Sequence, residues 1–484
     1  MQGVTYKCSE KSHLTKSVSI MNRNDTTARI AHVFRGTFVH STSRAAVEML
    51  QDCVLGVDDQ GKIAFVEKDQ DVDNLSKLWG FETSDIKQLG QYEFLMPGMV
   101  DTHIHASQYS YTGTALDLPL LEWLKTYTFP VEAKYNDLEF ANNVYTKVVR
   151  RTLKNGTTTA CYFATIHTDA SLLLGELADK FGQRALVGKV CMDCNSGVPQ
   201  YKESSSECKE ETDRFIKELL KKEYPKVKPV VTPRFAPSCS SSLLSELGEI
   251  ANSNKLRIQS HISENKGEVE LVRTLFPDCK SYTDVYLKHK LLTDRTVMAH
   301  GCHLTDEELE IFHETGSAIS HCPNSNISIC SGMLNVRNVL NHKVKLGLGT
   351  DVAGGYSPSM LDAMRRTLDT SKALTIQDPQ LKTLSFEEVF RLATLGGSEA
   401  LSLDDQIGNF VVGKDFDALR VNVCVPDGPI DLFPGEGPKV ILEKFLNLGK
   451  LLRKHFTFII FFIYIPLIHR FLSSKFLHIF VLKR

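Results

Sequence analysis

Two histidines, one residue apart, close the stretch MPGMVDTHIH (residues 96–105) behind an apolar run. In an extended strand residues i and i+2 point to the same face. His103 and His105 therefore aim at one point, and a point served by two imidazoles suits a metal ion. Two surface histidines beside a loop are the competing reading, and one pair does not separate them. Recurrence does. Other apolar runs also stop on polar side chains: VVTP on Arg234-Phe235, RIQS on His261-Ile262-Ser263-Glu264, TVMA on His300, AIS on His321 and LGLGT on Asp351. Five of the 16 histidines stand at such ends.

Three imidazoles and one carboxylate, from His103, His105, His261 and Asp351, form a donor set for Zn²⁺ or Fe²⁺ that leaves a position for water. A cation held there lowers the pKa of that water towards ~7 and makes hydroxide available at neutral pH. Asp351 can both hold the ion and accept the proton of the water. His300 can orient the water and steady developing charge. Glu264, three residues past His261, can shuttle a proton to a substrate.

These groups need elements that end side by side. Strand-like runs occur at about 97–105, 157–163, 185–192, 230–235, 257–261, 296–300, 318–322 and 345–351. Between them lie stretches with the three-to-four apolar spacing of core-facing helices: 138–153, 172–181, 212–222, 243–252 and 306–315. Eight β–α units predict a (β/α)8 TIM-type barrel, whose strands present functional groups at their C-terminal ends. A doubly wound open sheet would carry a Gly-x-Gly-x-x-Gly turn after an early strand, and none is present. Alternating runs at 32–39, 53–57 and 62–66 precede the barrel, and a strand–turn–strand pattern at 407–419 follows it. Segments flanking a barrel can pair into one small β-domain, here expected as a sandwich, because barrel termini lie close together. The expected organisation is a disordered extension at 1–29, the first part of the β-domain at 30–95, the barrel at 96–397, the second part of the β-domain at 398–449 and an atypical tail at 450–484.

Composition narrows the class. With 484 residues, 42% hydrophobic, 24% charged and a formal net charge of −2, the chain is ordinary for a globular protein. That charge gives no reason to expect a nucleic-acid partner. The N-terminal stretch MQGVTYKCSEKSHLTK lacks the apolar core of a signal peptide, and Met21 offers an alternative start. The 12 scattered cysteines read as reduced thiols of a cytoplasmic protein, with Cys191-Met192-Asp193-Cys194 as two thiols at a strand end. Phe456–Ile468 is free of charge but shorter than a bilayer span and interrupted by Pro466. Contact of the tail with a membrane is the less favoured reading.

The blocks MPGMVDTHIHASQYS, LPLLEWL, VTPRF, IQSHISEN, TVMAHG, HCPNSN and LGLGTDVAGGYSPSML resemble the amidohydrolase superfamily and, within it, the vertebrate guanine deaminases. The likeness runs from about His32 to about Gly449. It implies zinc-dependent hydrolytic deamination of guanine to xanthine and ammonia, in purine catabolism, by a homodimer. Carried over, His103, His105, His261 and Asp351 match the ligands of one zinc, His300 the histidine beside the water and Glu264 the proton shuttle. Gln108, Arg234 and Phe235 match substrate-binding positions, together with His105, His261, Glu264 and Asp351. Arg234 is then a fork of donors for acceptors on the purine edge, Phe235 a surface for the ring face, and Gln108 both donor and acceptor. Two-metal relatives place a carboxylated lysine on a barrel strand, often the fourth. Here that strand ends in Arg234 and Lys228 lies at its start, so one zinc per chain is expected. A different purine, pterin or nucleoside as substrate, or a catalytically inactive scaffold, are the alternatives. From Lys450 onward the chain departs from the family pattern, which puts closure of the β-domain in doubt and predicts poor solubility.

Overall fold

The computed structural model describes residues 29–449 apart from Ser196. The expected N-terminal extension, except its last residue, and the tail lie outside the described residues. The chain opens with five strands of a small sheet: β1 (Ile30–His40), β2 (Glu48–Asp58), β3 (Ile63–Lys68), β4 (Ile86–Gln88) and β5 (Glu93–Pro97). The barrel strands follow: β6 (Met99–His105), β7 (Thr157–Phe163), β8 (Arg184–Gly188), the two-residue β9 (Val190–Cys191), β10 (Val227–Pro233), β11 (Arg257–Ile262), β12 (Thr296–His300), β13 (Ala318–His321) and β14 (Lys345–Leu348). Last comes β15 (Ala418–Asn422).

The barrel strands pair in parallel in the order β6-β7-β8-β10-β11-β12-β13-β14, with β9 beside β10. All seven residues of β6 and all seven of β7 are buried, as strands covered on both faces must be. The ring closes through the backbone just past β14. There Asp351 N donates to His103 O at 2.9 Å, and His105 N donates to Val352 O at 3.2 Å. Closure thus runs through residues that carry the chemistry.

Helices cover the barrel where expected, including Leu138–Lys154, Thr168–Lys180, Ser205–Lys221, Ser241–Ser253 and Asp306–Thr315. The third begins seven residues ahead of its apolar period. Its first turns are polar, but Ser204 and Glu207 form a capping box that starts the helix without apolar help.

The flanking segments pair into one small β-domain. Among the described residues it is a single six-stranded sheet, β15-β5-β1-β2-β3 with β4 also against β1. Apolar side chains cluster in it around Phe34, Phe38, Leu55 and Phe410, and around Val33, Val54, Phe65 and Phe81. Residues 407–416 do not form the expected strand. Gly413 stands at φ +92°, where the extended run breaks, and the segment loops back so that Gly413 N donates to Ile63 O at 2.8 Å. The helix Pro438–Leu448 adds no strand to the sheet; it lies against the helix Met360–Gln377, where Arg365 Nε donates to Leu446 O at 2.7 Å. Gly98 explains the Pro-Gly before β6. A Cβ there would meet Thr158 Oγ1 at 1.9 Å, so only glycine lets the sheet pass into the barrel. Among the described residues no helix is long and apolar enough to cross a membrane.

Candidate active site

The strand ends meet in one buried cluster. His103 and His105 come from β6, His261 from β11, His300 from β12, and Glu264 and Asp351 from the turns after β11 and β14. The donor atoms of His103, His105, His261 and Asp351 all lie within 4.8 Å of one another. His105 Nε2 is 3.0 Å from His261 Nε2, and Asp351 Oδ1 is 3.1 Å from His103 Nε2 and 3.6 Å from His105 Nε2. A cation bound at ~2.0–2.2 Å to each donor would separate neighbouring donors by roughly 3–3.6 Å. The spacing fits one ion.

The chemistry of the donors agrees. His103 Nε2 is buried and makes no hydrogen bond, despite its closeness to Asp351; both atoms point at a shared centre instead of at each other. His261 Nδ1 lies 2.6 Å from the carbonyl oxygen of Arg234. That contact puts the proton on Nδ1 and leaves the Nε2 lone pair facing the cluster, the usual way a ligating imidazole is oriented. Burial, joined by the neighbouring His103, pushes the imidazoles of His105 and His261 well below their ordinary range and keeps them neutral. Burial would raise the Asp351 carboxyl, but His103, His300 and His105 outweigh it and hold it well below the usual carboxylate range. His300, Cys322 and Asp351 form a second, overlapping trio. It shares Asp351 with the first and offers fewer donors.

Beside the donors stand two groups suited to proton traffic. Glu264 Oε2 is 3.3 Å from His300 Nε2, which is 3.7 Å from Asp351 Oδ2. Ser331 Oγ donates to Glu264 Oε1 at 2.8 Å. Burial raises the Glu264 carboxyl to about 7, against the pull of His300. His300 Nδ1 lies 2.8 Å from Asn326 Oδ1, which fixes the ring. Its imidazole is opposed by burial but raised overall by Glu264 and Asp351. His321, the fifth strand-end histidine, is buried without a hydrogen bond and stays outside the donor cluster.

A cavity opens onto this cluster. Its walls include Gln108, Arg234, Phe235, Glu264, His300 and Asp351, closed over by Leu120, Trp123, Leu124 and Ile329. Every residue assigned a metal-binding, catalytic or substrate-binding role from the sequence lies in the donor cluster or on this cavity; His321 lies in neither. Several that matter were not singled out. Glu132 binds Arg234 from behind; Asn326 and Ser331 orient His300 and Glu264. Asp101 ties β6 to the end of β14 by accepting from Thr350 N at 3.0 Å, and burial lifts its carboxyl to about 7. Asn326 and Trp123 sit in the HCPNSN and LPLLEWL blocks, which gave a signal of position without one of role. The two cysteines of Cys191-Met192-Asp193-Cys194 differ: Cys191 is buried, Cys194 exposed, and both are free.

Comparison with known proteins agrees with this arrangement. The model of the Amidohydrolase family matches residues 94–450. The guanine deaminase of Homo sapiens is 60% identical over 424 residues, 87% of this chain and 93% of that protein. The crystal structure of guanine deaminase from C. acetobutylicum with guanine bound in its active site superposes with a TM-score of 0.79 at 33% identity, covering 86% of this chain and 96% of that one. An adenosine deaminase from Xanthomonas campestris with bound zinc superposes at 0.72 with 25% identity, over 82% of this chain and 86% of that one.

Proposed function

The chain belongs to the amidohydrolase family, and from that premise we propose how its residues divide the work of one reaction. The chain is an enzyme that deaminates guanine hydrolytically, giving xanthine and ammonia. The observation that carries the assignment is the joint presence of the four-donor cluster and the Gln108–Arg234–Phe235 wall on one small cavity.

A divalent cation, zinc in our reading, held by His103, His105, His261 and Asp351 would lower the pKa of a water and supply a nucleophile at neutral pH. The remaining work falls to side chains of this chain. Phe235 offers its ring to the face of the base, and Arg234 and Gln108 offer N–H groups to its keto edge. Asp351 accepts a proton from the attacking water, and His300 holds that water towards the ring carbon bearing the amine. Glu264, with a carboxyl near 7, can give a proton to the adjacent ring nitrogen and later serve the departing ammonia. A group titrating at the working pH is suited to both transfers. Water adds at that carbon and the carbon–nitrogen bond breaks; of the two protons of the water, one stays on the adjacent ring nitrogen and one completes ammonia, and both pass through Glu264 and Asp351.

The test is direct: purified protein, loaded with zinc, is incubated with guanine and the xanthine formed is followed. No xanthine from a folded, metal-loaded chain sinks the assignment. Adenosine and pterin substrates run in parallel address the alternatives. We further propose, on the resemblance alone, a cytoplasmic homodimer serving purine catabolism; sedimentation of the purified chain tests the dimer.

A further inference from the structure

Behind the substrate wall lies a carboxylate that does not touch the cavity. Glu132 is fully buried and ends the short helix Phe129–Glu132. Arg234 Nη1 donates to its Oε2 at 2.6 Å and Arg234 Nη2 to its Oε1 at 3.3 Å. Gln108 Nε2 donates to the same Oε1 at 3.2 Å, Tyr201 OH to Oε2 at 2.9 Å, and Ser107 Oγ to Oε1 at 3.4 Å. The four or so lone-pair sites of a carboxylate are therefore all taken. Arg234 is also stacked over the Phe129 ring at 4.9 Å.

One detail of this arrangement bears on substrate choice. An isolated glutamine amide can present either its oxygen or its nitrogen to a given neighbour. Here the two partners of Gln108 agree on one orientation: Oε1 accepts from Ala353 N at 3.0 Å and Nε2 donates to Glu132. The flipped amide would set oxygen against carboxylate and N–H against N–H. Because Arg234 Nη2 and Gln108 Nε2 share Glu132 Oε1, their remaining N–H groups lie side by side on the cavity wall. Two adjacent donors can both be met by an oxo group and by no amino group.

We propose that Glu132 is a positioning residue that locks Arg234 and Gln108 into a paired-donor edge, and so selects a purine carrying oxygen over one carrying an amine on the edge that this pair reads. The proposal rests on the guanine reading above. It is separated from it by comparing guanine with 2,6-diaminopurine, which keeps the reacting amine and differs in having an amine where guanine has its oxo group.

Glu132→Gln removes the charge and frees Gln108 to turn. The variant should raise KM for guanine by at least ~10-fold, since charge-assisted hydrogen bonds to substrate lose their geometry. Its kcat should stay within ~3-fold, because no group that moves a proton changes. The preference for guanine over 2,6-diaminopurine, as a ratio of kcat/KM, should fall by at least ~10-fold, while the pH profile, set by Glu264, stays in place. A merely structural role would lower both substrates alike. Glu132→Asp keeps the charge and should recover part of the ratio. Should Glu132→Gln fail to fold, because a buried arginine has lost its partner, Tyr201→Phe removes only one donor and should move the ratio in the same direction by ~3-fold. An unchanged ratio in the folded variants of an active enzyme overturns this proposal alone. A parent chain inactive on guanine overturns both readings.

Discussion

Replacing Glu264 by Gln keeps the shape of the side chain and removes its transferable proton, and the structure sets two magnitudes for the result. The first is kinetic. Glu264 is buried beside His300, and burial carries its carboxyl from the usual 4.5 to about 7, so near neutral pH both protonation states are populated. A general acid–base group of that kind contributes ~10²–10⁴ in rate. Turnover of guanine should fall by at least ~10², with the metal retained, because no donor of the cluster is altered. The second magnitude concerns stability. A rise from 4.5 to about 7 corresponds to ~3 kcal/mol of destabilisation when the buried group ionises. Between those values the folded chain binds more protons than the unfolded one, so stability falls as pH rises through the window. The cost is absent below 4.5 and complete above 7. Glutamine never ionises. Glu264→Gln should therefore be more stable than the parent at pH 8, by up to ~3 kcal/mol, and the two should converge as pH falls towards 4.5. A bound cation favours the carboxylate, which makes this figure a ceiling for the metal-loaded protein. Xanthine formation gives the first magnitude and urea unfolding at pH 8 and pH 5 the second. Unchanged turnover would reassign the proton transfer, most simply to Asp351. A variant less stable at pH 8 would show that the site favours the charged form and that the burial argument is wrong.

Other expectations can be checked with simpler means. Elemental analysis should find one tightly held zinc per chain, lost in His103→Ala; two equivalents would defeat the single-ion reading of the four-donor cluster. Asn326→Leu removes the acceptor that orients His300 and should cost roughly 10-fold in kcat with little change in KM, read by steady-state kinetics. Truncation after Gly449 should improve solubility, because the uncharged, Ile- and Phe-rich segment Phe456–Ile468 has an aggregation-prone composition. A full chain equally soluble and heat-stable would refute that.

The site was legible in the sequence to the extent that chemistry and strand ends coincide. An apolar run ending in a histidine is visible without any structure, and the barrel brings all such ends to one rim. Glu132 escaped for the opposite reason. It lies on a four-residue helix after a stretch with no clear period, 102 residues from the arginine it binds, and nothing local marks a glutamate in FPVEAKYN as buried. Pairing across that distance is a property of the closed barrel, not of either segment. Residues 407–416 misled in another way. Their apolar alternation imitates a strand, while Gly413 at φ +92° turns the chain and the segment pairs with the sheet only through the single bridge of Asp415 with Lys62.

Backbone strain at the strand ends links fold and site more closely than either the motifs or the ligand distances do. Ser263, His300 and Asp351 stand at φ +47°, +76° and +45°, in a region that costs a residue with a side chain ~1–3 kcal/mol. All three lie where a barrel strand gives way to a functional turn. Such conformations persist only where the surroundings over-determine them, and here backbone hydrogen bonds bracket each one. His303 N donates to Ser263 O at 3.1 Å, Gly301 N to Ile262 O at 2.9 Å, and Asp351 N to His103 O at 2.9 Å. At ~1 kcal/mol each, these bonds are comparable with the strain they oppose, so packing of the strand ends must supply the rest. The last of them also closes the barrel. The bond that completes the ring therefore sets the backbone of one donor against that of another, and barrel closure and assembly of the donor cluster are one structural event. A chain unable to close β6 against the end of β14 would lose Asp351 from the cluster before it lost any strand.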